Sequence, residues 1–108
     1  MRDRIALGEK LKTLERLTEL GGEDRIIDQT ITKLLDYTTQ RHQRELEELT
    51  TKLRVLEEQF GMTSDLFANK FHRGELGDDE TFFRWDALLN MQQHLTQRLA
   101  ILQADDSS

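Results

Sequence analysis

The side chains that first suggest chemistry are three histidines, His42, His72 and His94, and an acidic run at Glu75, Asp78, Asp79 and Glu80. A metal site on a helix needs ligands three or four residues apart, so that they share one face. The three histidines fall in separate segments, and no two have that spacing. The acidic run offers the hard oxygens that calcium and magnesium prefer, but its spacing matches no calcium-binding loop. Helix capping and first-turn dipole compensation account for it more simply. Cysteine is absent, there is no Gly-rich phosphate loop, and Ser107 and Ser108 sit in a terminal tail that cannot be preorganised. The expectation is a chain that is not an enzyme and carries no metal or cofactor.

The elements around these residues are set by apolar spacing. Leu7, Leu11, Leu14, Leu17 and Leu20 recur at intervals of three and four, which predicts an amphipathic helix over residues 3–20. Gly21 and Gly22 end it and supply a hinge. A second helix is expected from about Asp24 to Phe60. Its first part carries a stripe of Ile27, Ile31 and Leu34, and its later part carries Leu46, Leu49, Leu53, Leu56 and Phe60 in heptad spacing. Traced backwards, the later seam passes through His42, Thr39 and Leu35, so the two stripes are about one residue out of register. At about 1.5 Å per residue this helix is on the order of 55 Å long, and its two halves are expected to have different partners.

Gly61 stops the second helix, and Thr63 or Ser64 is expected to cap a short third one carrying Leu66, Phe67 and Phe71. After the turn at Gly74 and Gly77, Asp78 is expected to cap the last helix, with Asp79 and Glu80 in its first turn. Trp85, Leu88, Leu95, Leu99 and Leu102 then occupy heptad positions, with Gln92 as a polar interruption. All the phenylalanines and the tryptophan fall between residues 60 and 85, which predicts an aromatic clamp near the connector. One aromatic left exposed there, or Tyr37, would serve as an anchor for a partner.

The fold class is therefore all-α: an antiparallel helical hairpin with coiled-coil character, residues 40–60 packed on 80–102, dimerising into a helical bundle. Residues 1–22 are expected to form a mobile amphipathic N-terminal helix. Residues 23–103 form the long helix, aromatic connector and returning helix, and 104–108 a disordered tail. A chain of 108 residues buries a modest fraction of its surface alone, which favours a homodimer. The seam for hairpin and dimer is Leu46, Leu49, Leu53, Leu56, Phe60, Trp85, Leu88, Leu95 and Leu99. A net charge of −6 repels a polyanion and favours a basic partner. Arg2, Arg4, Lys10, Lys12 and Arg16 alternate with acids and read as a solvated face rather than a nucleic-acid patch. No stretch approaches the apolar length of a membrane span or signal sequence, so a cytoplasmic location is expected.

Several segments together carry a resemblance: residues 25–35 (Arg25 to Leu35), the Glu/Leu-rich helix, Phe60-Gly61-Met62-Thr63-Ser64-Asp65-Leu66-Phe67, Gly74-Glu75-Leu76-Gly77-Asp78-Asp79, Phe82-Phe83 and Trp85. Over roughly residues 24–102 the chain resembles short helical antitoxins of prokaryotic toxin–antitoxin modules, encoded beside TumE-type toxins. That family has no catalytic residues to transfer, and residues 1–22 lie outside the resemblance. It implies an antitoxin that neutralises a cognate small toxin through helix-mediated contacts. The partner-binding residues are then Leu7, Leu11, Leu14, Leu17, Ile27, Ile31 and Leu34, whose stripes have no mate inside the hairpin; alternatively, the two stripes pack on each other or across the dimer. The alternative is a structural coiled-coil adaptor or dimerisation module with no toxin. A promoter-binding autoregulator is a third reading, for which no helix-turn-helix or basic recognition segment is evident.

Overall fold

The computed structural model describes residues 6–21 and 25–106, and within these the chain is all-α. The helices are α1 (Leu7–Glu19), α2 (Arg25–Phe60), α3 (Ser64–His72) and α4 (Glu80–Asp106). Ala6 is extended, so α1 starts later than the leucine pattern suggested, and residues 3–5 of that expected helix lie outside the described residues. Gly22, half of the expected hinge, and Asp24 lie outside them too. At the other end α4 continues through residues 104–106, where a disordered tail was expected; residues 107 and 108 are not among the described residues.

The helix ends follow from glycine and hydroxyl chemistry. Gly61 takes φ 64°, a left-handed conformation that a side chain would oppose, and the Met62 N–H then donates back to the Glu57 carbonyl at 3.2 Å. Gly74 repeats the device at φ 75°, with the Glu75 N–H donating to the Lys70 carbonyl at 3.0 Å. Thr63 is extended and its hydroxyl accepts from the Leu66 N–H at 3.1 Å, which resolves the expected Thr63-or-Ser64 cap in favour of Thr63. The cap of α4 is Asp79 rather than the expected Asp78. Asp79 Oδ1 accepts from the Thr81 N–H at 2.8 Å, and the Asp79 carbonyl accepts from the Phe82 N–H. Gly77, with φ 81°, lets the chain turn before this cap, and the turn presents Asp79 to the helix end, one residue later than the sequence suggested.

By compactness the chain divides into residues 1–35 and 36–108, a boundary inside α2. The second unit is the antiparallel hairpin. Its core is Leu53, Phe67 and Trp85, with Leu56, Phe60, Met62, Phe71, Phe82, Leu88 and Leu89 packed around them. Phe60, at the end of α2, lies 5.3 Å from Phe82 and 5.7 Å from Trp85 between ring centroids, so the end of α2 meets the start of α4. Farther from the connector Leu49 and Leu95 line one groove, and both are buried. These contacts fix the antiparallel sense.

The first unit has little burial. No residue of α1 is buried; Leu14, Ile27 and Ile31 are half-buried, and the hydroxyls of Thr13 and Thr18 bond back to the Glu9 and Glu15 carbonyls.

The cap assignment predicts that Asp79→Ala lowers stability to urea by about 1 kcal/mol, as loss of an N-cap does. Asp78→Ala should stay within about 0.5 kcal/mol of wild type. Equal losses would mean that the two acids share the cap.

Candidate interaction surface

The seam named from the heptads is occupied within one chain. Leu49, Leu53, Trp85, Leu95 and Leu99 are buried, and Leu46, Leu56, Phe60 and Leu88 are half-buried. His42, on the backward extension of the seam, is also buried, and its Nδ1 lies 3.1 Å from Glu45 Oε1 one turn along α2. Thr39 and Gln92 are half-buried.

At the connector a polar network is threaded through the aromatic core. The Trp85 ring stacks on Phe67 at 4.0 Å between centroids and 4° between planes, and both side chains are fully buried. A buried indole N–H needs an acceptor, and Trp85 Nε1 donates to Ser64 Oγ at 3.1 Å. The Ser64 backbone N–H donates to Glu57 Oε2 at 2.9 Å. Glu57 stands in the last turn of α2, where its charge opposes that helix's dipole, yet at the N-terminus of α3 the same charge is favourable. Sequence reasoning missed both roles. The available signal was the acid in a last turn that contains no basic residue.

Most of the residues that suggested chemistry are otherwise engaged. His72 Nε2 lies 3.1 Å from Asp86 Oδ1, which links the end of α3 to α4. Arg73 pairs with Glu75 at 3.6 Å and Glu80 with Arg84 at 3.9 Å, while Asp79 caps α4. His42 and His94 lie on different helices from His72, and no group of three or more metal-ligating side chains converges among the described residues. No helix among them is long and apolar enough to cross a membrane.

What the geometry does present is exposed apolar surface. Of the residues expected to bind a partner, Leu7 is 71% exposed, Leu11 49%, Leu17 52% and Leu34 56%. Leu14, Ile27 and Ile31 are only half covered. Leu20 at 85%, the last leucine of the α1 stripe, and Ile26 at 74%, which lay outside the apolar pattern, extend this surface. Ile26 was missed because it stands one position off the stripe of Ile27 and Ile31. In the second unit α4 carries a second apolar face: Phe83, Met91 and Ile101 are each more than half exposed. Phe83 makes an edge contact with Phe71 at 5.2 Å and is otherwise open, which fits an aromatic left outside the clamp. Tyr37, the other candidate, is exposed and lies under the Arg41 guanidinium.

Ser64→Ala should cost about 1–3 kcal/mol, because it strands the indole N–H in an apolar core. In a Trp85→Phe background the same change should cost distinctly less. Urea denaturation of the four variants measures the coupling, and strict additivity would show that the bond contributes nothing.

Comparison of the chain with known protein families, with curated proteins and with solved structures finds no match.

Proposed function

We propose that this chain is the antitoxin half of a toxin–antitoxin module, a cytoplasmic homodimer that neutralises a small toxin by docking apolar helix faces on it rather than by catalysis. The observation that carries this reading is the contrast between the two units. Residues 36–108 cover their own seam, whereas residues 7–34 leave Leu7, Leu11, Leu17, Leu20, Ile26 and Leu34 largely in solvent. An amphipathic helix with apolar residues at intervals of three and four and only partial cover of its own is suited to a groove on another protein. The net charge of −6 adds steering toward a basic surface, such as the substrate channel of a toxin that acts on nucleic acid.

Two measurements test it. Light scattering on this chain mixed with the product of the adjacent gene should give the mass of a complex; two separate species would favour the coiled-coil adaptor. Deleting residues 1–22, or combining Leu11→Glu with Leu14→Glu, should leave the hairpin folded by circular dichroism while weakening toxin binding by about tenfold or more, two lost apolar anchors at over 1 kcal/mol each. If the truncated chain protects cells as well as the full one, the contact surface is not the N-terminal helix.

A further inference from the structure

The flank of the hairpin carries a groove of about 390 Å³ whose walls differ in charge. Glu45, Glu48 and Lys52 line it from α2, and Met91, His94 and Arg98 from α4, over a floor of Leu49 and Leu95. Glu48, Lys52 and Arg98 share this groove, yet none forms an ion pair among the described residues. Among the described residues Glu45 holds only His42, and its carboxylate remains half exposed. Met91 is 53% exposed on one wall, and Val55, three residues beyond Lys52 on the same side of α2, is 56% exposed.

We propose that a second copy of this chain docks on this groove, with α2 of each copy lying along α4 of the other. The levels along the hairpin support the match. Phe60 meets Phe82 and Trp85, and Glu45 lies about as far before Phe60 as Arg98 lies beyond that pair. Lys52 and Met91 are level by the same measure, and Val55 is close to Met91. A two-fold axis parallel to the helices keeps these levels. It sets Glu45 and Glu48 of one copy against Arg98 of the other, Lys52 and Val55 against Met91, and repeats every contact by symmetry. All neighbouring helices in the resulting four-helix arrangement are antiparallel. An axis across the helices would instead set α4 on α4 and take Arg98 away from Glu45 and Glu48. The net charge of −6 opposes association, but it is spread along the whole chain, and beyond about 8 Å salt screens it, whereas the groove charges meet at contact distance.

This inference rests on the dimer in the reading above and names its face; it leaves the N-terminal surface untouched, so the two can fail separately. Sedimentation velocity of the full chain at tens of micromolar should show a dimer. Glu48→Arg and Arg98→Glu should each weaken self-association by about tenfold or more, since each places like charges opposite one another twice. Mixed together, the two variants should associate with near wild-type affinity, because an acid then faces a base at both of the related contacts. Positions 48 and 98 are exposed, and an unchanged helical melt verifies that folding is intact. A monomeric wild type, a full-strength dimer of Arg98→Glu, or no gain on mixing would each overturn the proposal. So would an Arg98→Glu chain that dimerises normally but no longer binds the adjacent gene's product, which would assign the groove to that partner.

Discussion

The hairpin depends on one buried side chain that is both its largest apolar group and a hydrogen-bond donor. Trp85 lies fully buried against Phe67 with Phe60 beside it, so rings from α2, α3 and α4 meet at one point. Truncating a buried aromatic typically costs about 3–5 kcal/mol, while a single hydrogen bond contributes about 1 kcal/mol net. The rings therefore decide that the three helices meet. The Nε1 bond to Ser64 decides how they meet, because only one orientation of the indole reaches that hydroxyl. Ser64 in turn starts α3, and its backbone N–H is held by Glu57 of α2. The short connector is fixed from three directions, and the two long helices leave it with their sense and register already set.

Much of this was legible in sequence because it depends on period alone. The leucines at positions 46, 49, 53, 56, 95 and 99 keep one face through any small change in helix ends, and the structure covers that face. What was not legible depends on single dihedral angles and on neighbours far along the chain. Asp78 and Asp79 are chemically equivalent candidates for the cap of α4, and the choice between them is made by the turn at Gly77. Glu57 reads as a poor C-terminal residue until α3 is placed next to it. Phe82 and Phe83 are adjacent and identical in type, yet one packs between Phe60 and Phe67 and the other is 54% exposed. Helical rotation of about 100° per residue separates them, and only the position of the core says which one is inside.

The same rules explain why the first unit looks different. An apolar stripe stabilises a fold only when another stripe faces it. In residues 36–108 the connector returns the chain so that α4 faces α2, and the seam is covered. In residues 7–34 the leucines and isoleucines obey the same periodicity, yet Leu14, Ile27 and Ile31 are the only members of the proposed contact set that lose much of their exposure. Periodicity therefore identified the apolar face in both units, but could not say whether the chain itself would cover it.

Helix α4 shows how the two kinds of face can coexist on one element. Trp85, Leu95 and Leu99 belong to the covered seam, while Phe83, Met91 and Ile101 stand more than half exposed. A helix apolar on two sides gains less from a single hairpin than its composition allows, and the unused side carries a standing cost in exposed apolar area. In the proposed reading the part of that cost at Met91 is relieved by a second copy on the groove of Glu48 and Arg98, and the exposed leucines of residues 7–34 remain for the partner protein. Self-association and partner capture then draw on different residues, so neither has to be undone for the other to occur.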